Sequence, residues 1–115
     1  IMDASQPTYF LSHWVRDKGL ISIEEGVRAL SHDTASFVGY ADRGTLEVGS
    51  FADVNVIDWD GLALDIPTIA NDFPGGAARF IQGAVGIEHT LVNGVPFMEN
   101  GAHTGAAPGR ILRSS

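Results

Sequence analysis

At 115 residues the chain has the size of one domain and is too short for an eight-stranded α/β barrel, which typically takes about 250 residues. Hydrophobic residues make up 44% and charged residues 18%, less charge than the roughly 25% of an average domain; this argues against disorder and for surface that is normally covered. A net charge of −7, with seven basic residues scattered singly, argues against a nucleic-acid partner and against an anionic membrane surface, because both are met by clustered Lys and Arg.

Ser5 is placed to cap a helix whose first turn holds Pro7, where the missing N–H costs nothing. Phe10, Leu11, Trp14 and Val15 recur at helical spacing and predict one apolar face, ended by Gly19. Ser22-Ile23-Glu24-Glu25 has the spacing of a capping box, so a second helix is expected to turn Ile23, Val27 and Leu30 inward and to pair Glu24 with Arg28 outside. Gly26 either weakens that helix or permits close packing. A third short helix is expected from Ser31 or Asp33 to Val38, stopped by Gly39.

Past the turn at Asp42-Arg43-Gly44 the period changes. Residues 44–58 are punctuated by Gly44 and Gly49, and Val54, Val56 and Ile57 predict a strand over about residues 52–57. Residues 59–76 hold Pro67, Pro74, Gly75 and Gly76 and read as a long irregular excursion. A single strand is expected over residues 79–85. Asn93-Gly94 between His89-Thr90-Leu91-Val92 and Val95-Pro96-Phe97-Met98 predicts a hairpin with a type I′ turn, and Asn100-Gly101 repeats the signal. Pro96 places its strand at an edge or turns its nitrogen away from a partner. Residues 105–115 are a tail, ordered only if something holds it. The fold class expected is α+β, with helices over residues 1–43 and strands over residues 44–115.

Without cysteine there is no disulfide, no thiolate nucleophile and no Cys-based zinc site, which fits a reducing compartment, and a cytoplasmic location is expected. No apolar run approaches the roughly 20 residues that span a bilayer, and the N-terminus lacks the regions of a signal peptide. Ile1 precedes Met2, so the chain is expected to be a processed piece or to begin inside a longer protein. His13, His32, His89 and His103 fall on different predicted elements without His-x-His or His-Glu-x-x-His, and they read as structural or solvated. His13 and Asp17 share a helix face and read as an ordinary polar face. Asp3, Ser5 and Thr8 gather ahead of the first helix, where backbone N–H groups can meet a substrate carboxylate; plain N-capping explains them as well. Gly-x-Ser-x-Gly is missing, and the glycines at 75, 76, 83 and 86 lack dinucleotide-loop spacing. Asp53 falls at the turn into a strand, where it is expected to bond backbone N–H groups near Gly49.

The order Asp3-Ala4-Ser5-Gln6-Pro7-Thr8, His13-Trp14-Val15-Arg16-Asp17-Lys18-Gly19, Ala41-Asp42-Arg43-Gly44, Gly49-Ser50-Phe51-Ala52-Asp53-Val54-Asn55-Val56-Ile57-Asp58 and Val92-Asn93-Gly94 resembles the C-terminal end of the amidohydrolase superfamily. It is nearest to the N-acyl-D-amino-acid deacylase (D-aminoacylase) branch, and the likeness covers nearly the whole chain, least in residues 59–85. The resemblance implies a metal-dependent hydrolase of non-peptide C–N bonds, acting on an N-acyl-D-amino acid with zinc or another divalent metal. It implies closing helices of a TIM-like barrel followed by part of a small β-sandwich. It places the metal ligands and the catalytic Asp upstream of this chain. No catalytic residue, no metal ligand and no cofactor are therefore expected here; Asp3 and Ser5 are the candidate substrate contacts, and the chain alone is expected to be inactive. The partners expected are the N-terminal barrel and sandwich strands of the parent chain, or further copies in a homo-oligomer. The alternative, from a different class, is a non-catalytic β-rich binding or assembly module.

Overall fold

A computed structural model of the chain describes residues 5–113. Its elements are α1 (Gln6–Tyr9), a π-helical segment (Phe10–Asp17), α2 (Ile23–Leu30) and α3 (His32–Phe37), then eight short strands. The order is α+β, helices first and antiparallel strands after, and no closed barrel forms among the described residues.

Pro7 stands in the first turn as expected, but from Phe10 the helix widens, and Lys18 N–H reaches back five residues to the His13 carbonyl (2.9 Å). A ladder of i→i+5 bonds holds more residues per turn, so positions four apart stay aligned while those three apart lag. This corrects the expected apolar face. Leu11 and Val15 are buried, whereas Trp14 is 40% exposed. The Ser12 hydroxyl donates to the Thr8 carbonyl (2.8 Å), a back-bond of the kind that loosens an ordinary helical turn.

The capping box of α2 forms as expected: Ser22 Oγ accepts the Glu25 N–H and Glu25 Oε2 accepts the Ser22 N–H, both at 3.2 Å. Gly26 is buried because α2 crosses the π-helical segment there, where a Cβ would stand 2.7 Å from Val15 Cγ2. Two expectations for α2 are corrected. Of its intended inward face, Leu30 packs against the core, but Ile23 and Val27 are 41% and 47% exposed. Arg28 turns from Glu24 to Asp33 of α3 (3.1 Å), which also holds His32 Nδ1 (2.8 Å).

β1 (Val54–Ile57), β6 (Ile87–Val92), β7 (Val95–Glu99) and β8 (Ala102–His103) form one antiparallel sheet in that order. Asn93 and Gly94 have φ of 51° and 76°, and Asn100 and Gly101 have 47° and 79°, the two positive values that each two-residue turn requires. β7 is not an edge strand, so Pro96 takes the second of its expected solutions. β8 opposes only Met98 and Glu99, and Thr104 Oγ1 donates to the Pro96 carbonyl (2.8 Å) on that same side. The proline nitrogen faces the stretch that β8 does not reach, and no ladder bond is lost.

Residues 59–76 are not the irregular excursion expected, nor are residues 79–85 one strand. β2 (Ala63–Leu64) pairs with β5 (Ala84–Val85), and β3 (Thr68–Ala70) pairs with β4 (Arg79–Ile81), both antiparallel. The four strands make one interrupted ribbon. Across its break, Gln82 Nε2 donates to the Asp65 carbonyl (2.8 Å) and Asp65 N–H to the Gly83 carbonyl (3.0 Å). At the tip, Arg79 grips Asp72 with two bonds of 2.7 Å.

The buried core is Leu11, Val15 and Leu62, flanked by Phe10, Ile21, Leu30, Ile57, Trp59 and Ile87. It lies where the helices meet the base of the ribbon. Leu62 is 1% exposed, and Gly86 passes so close that a Cβ there would stand 2.6 Å from Leu62 Cα. Trp59 packs here, partly buried. The radius of gyration is 15.7 Å, against about 13 Å for a compact chain of this length. The accessible surface is 8269 Å², against roughly 6,100 Å² for a compact monomer of this mass. The excess is apolar in good part: Leu20, Phe37, Leu46, Val48, Ile66 and Ile111 all stand in solvent.

Candidate functional site

Asp3 lies outside the described residues. Ser5 opens α1 with its carbonyl accepting the Tyr9 N–H (2.9 Å), while its side chain makes no cap bond. The plain N-cap expected of Ser5 is thus not formed. The backbone of Ser5 is near-helical (φ −108°, ψ −7°), and an N-cap side chain reaches forward from an extended residue. Thr8 offers its carbonyl to Ser12.

One turn further, Tyr9, His13 and Trp14 form an aromatic group. Tyr9 and His13 stack with centroids 4.8 Å apart, and Trp14 stands edge-on to His13 at 4.7 Å. Asp17, expected on the His13 face, turns instead to Arg16 (2.8 Å). Arg16 is the side chain that sequence reasoning missed. Its Nη1 donates to the carbonyls of Leu62 (2.7 Å), Trp59 (2.9 Å) and Asp60 (3.3 Å), fastening the first helix to the loop that starts the ribbon. The only local signal was an arginine one position past a buried valine; its carbonyl partners lie more than 40 residues away.

A second cluster gathers around Asp53. Its Oδ1 accepts the Asn93 N–H (2.9 Å) and its Oδ2 pairs with Arg43. Asp53 does bond backbone, as expected, but at the β6–β7 turn and not at Gly49, because β1 lies beside β6 and brings its start to that turn. Arg43 and Arg110 both lie over the Phe51 ring, at 4.7 and 5.1 Å, and Asn93 Nδ2 donates to the Pro108 carbonyl (2.7 Å). These contacts are what orders the tail.

The charges at these places are paired. The Asp17 carboxyl is held below the usual range chiefly by its bond to Arg16, and the Arg16 guanidinium is raised in turn by Asp17. Asp33 is held down first by His32 and then by Arg28, and Asp72 by Arg79. Every one of these shifts favours the charged form, which suits ion pairs and not proton transfer near neutral pH. The four histidines stay apart: His13 against Tyr9, His32 on Asp33, His89 3.9 Å from Glu99, and His103 accepting the Gly105 N–H (2.9 Å). Among the described residues no group of three or more His, Asp or Glu side chains is placed to hold a metal ion. These residues therefore do not fit a catalytic metal.

The decisive observation is a match to the amidohydrolase family over residues 2–97. The chain belongs to the amidohydrolase family. Two relatives come from Alcaligenes xylosoxydans xylosoxydans: an N-acyl-D-glutamate deacylase, 37% identical over 110 residues, and a D-aminoacylase, 36% identical over 102 residues. The alignments cover 92% and 89% of this chain but 20% and 19% of the relatives, so the chain spans about a fifth of their length. Two solved structures share its fold. A D-aminoacylase mutant in complex with 100 mM CuCl2 superimposes with a TM-score of 0.74 at 34% identity, over 92% of this chain and 20% of that one. A D-aminoacylase described as defining a novel subset of amidohydrolases gives 0.69 at 33% identity, over 87% and 19%. Amidohydrolases are metal-dependent, and this amidohydrolase chain is related to D-aminoacylase.

Proposed function

We propose that this chain is the C-terminal portion of a metal-dependent amidohydrolase that cleaves the amide bond of an N-acyl-D-amino acid, and that it is inactive alone. The observation that carries the reading is the alignment, 37% identity held across 92% of this chain but confined to 20% of the deacylase. The absence of any metal-holding group among the described residues supports a catalytic centre built elsewhere. The large exposed surface supports a chain whose helical part, residues 1–43, and strand part, residues 44–115, are covered in the parent by barrel and sandwich segments. Freed from them, the chain covers itself by self-association. Asp3 and Ser5, ahead of the first helix, are the proposed substrate contacts, and the parent works in the cytoplasm with zinc or another divalent metal.

Three measurements test this. Reading the genomic frame upstream of Ile1 should find a His-x-His in one continuous open frame; a stop codon there would overturn the reading in favour of a self-sufficient binding or assembly module. The purified 115-residue protein, assayed with N-acyl-D-amino acids and zinc, should match the buffer control and should bind no zinc that survives chelation. Turnover above control would overturn the assignment of catalysis to the rest of the parent. Light scattering at micromolar concentration should find oligomers, and a monodisperse monomer would contradict the covered-surface argument.

A further inference from the structure

The chain carries the same dipeptide, Asn-Gly, in two turns of the same conformation, and the structure treats the two differently. In a two-residue hairpin turn the glycine N–H has no partner within the hairpin. At the β6–β7 turn an outside partner supplies one: Gly94 N–H donates to the Ala52 carbonyl at 2.8 Å. The asparagine is held as well, with its N–H on Asp53 Oδ1 (2.9 Å), its Nδ2 on the Pro108 carbonyl (2.7 Å) and its Oδ1 buried. At the β7–β8 turn, Asn100 and Gly101 are exposed, and among the described residues neither the Gly101 N–H nor the Asn100 side chain makes a hydrogen bond. Only the Asn100 N–H is held, by the Glu88 carbonyl (2.7 Å).

We propose that Asn100 is a site of spontaneous covalent modification, deamidation to isoaspartate and aspartate, and that the contacts around Asn93 protect the second Asn-Gly from it. In the reaction the Gly101 backbone nitrogen, after losing its proton to hydroxide or a buffer base, attacks Asn100 Cγ. The Cγ–Nδ2 bond breaks and one ammonia leaves, closing a five-membered imide. One water then opens the ring at either carbonyl. Opening at the side-chain carbonyl yields aspartate; opening at the main-chain carbonyl routes the backbone through Cβ and Cγ and yields isoaspartate. Both products carry a carboxylate that the asparagine lacked. The reaction needs a nitrogen free of hydrogen bonds, a side-chain amide free to swing onto it, and access for base and water. Asn100-Gly101 meets all three conditions. At Asn93-Gly94 the nitrogen is engaged, the amide is tethered and its oxygen is shut from solvent, so several contacts must open first. An isoaspartate at position 100 lengthens the turn by one backbone atom and unseats β8, whose pairing consists of Met98 with His103 and Glu99 with Ala102.

The test is to incubate the purified protein at mildly alkaline pH, folded and in denaturant, and to quantify isoaspartate at each site by peptide mapping. In the folded protein, product at position 100 should accumulate at least about tenfold faster than at position 93, a factor that two hydrogen bonds which must first open can supply. In denaturant the two rates should converge. Equal rates in the folded protein, faster reaction at Asn93, or no product at either site while the denatured sample reacts would each overturn the proposal. So would an unchanged ratio in denaturant, which would trace the contrast to local sequence. Asn100→Gly should remove the early product without altering the slow reaction at Asn93.

Discussion

The four-stranded sheet and the two-stranded ribbon are both antiparallel, yet they are held in opposite ways. The sheet is tied both at its β6–β7 turn and between its strands: Asp53 bonds the Asn93 N–H, Thr90 of β6 bonds Asn55 of β1 (2.8 Å), and Thr104 bonds the Pro96 carbonyl of β7, with the tail strapped over one end. The ribbon has an almost fully exposed body, one buried residue at its base and one bidentate ion pair at its tip. Strand pairing alone does not confer equal stability; a two-stranded ribbon is marginal in water unless a face is covered. Amide exchange should therefore be faster along β3 and β4 than along β6 and β7. Equal protection would dissolve the comparison.

The largest effect belongs to the joint between the regions. Leu62→Ala removes the most deeply buried side chain of the core and should cost about 2–5 kcal/mol, read from urea denaturation. A loss under about 0.5 kcal/mol would mean that this core is not what holds the ribbon to the helices. Next comes Arg16→Ala, which strips three carbonyls of their donor and should lower the melting temperature less than Leu62→Ala does. Lysine at this position should restore part of the loss, since its ammonium donates but lacks the planar fork.

Asp53→Ala acts inside the sheet. It frees the Asn93 N–H and leaves Arg43 with Asp42 alone, which should cost about 1–2 kcal/mol, comparable to a lost helix cap. In the proposed parent enzyme, turnover per folded molecule should stay nearly intact. Abolished turnover with an unchanged melting temperature would move Asp53 into the active site. The smallest effect is at the ribbon tip. The Asp72 carboxyl titrates below its usual range because of Arg79, so its contribution is complete above the ordinary carboxylate pKa and is lost as pH falls through the lowered value. In an NMR titration, Arg79→Gln should return the Asp72 midpoint to the ordinary range; an unmoved midpoint would rule out the ion pair in solution.

Much of the local structure was legible because its causes lie within a few residues. The capping box at Ser22 and Glu25, the stop at Gly39 and both Asn-Gly turns need only neighbouring atoms, and they stand where the sequence puts them. The resemblance to the amidohydrolases was legible for a related reason, since the runs that carry it, such as Gly-Ser-Phe-Ala-Asp, are contiguous in sequence. The ribbon was not legible. Its strands are two or three residues long, too short for a period to register, and Ala63 meets Val85 only once the chain has folded back. Nor were the partners of Arg16, Arg28 and Asp53. A charged side chain bonds whichever complementary donor or acceptor the tertiary fold brings within about 3 Å; the carbonyls that Arg16 bonds and the Asn93 N–H that Asp53 accepts lie 40 or more residues away. Sequence alone settled where helices start and where the two Asn-Gly hairpins turn, because backbone sterics and capping are local. Only the tertiary structure decided which of two identical Asn-Gly turns is locked, because the locking atoms come from Ala52, Asp53 and Pro108.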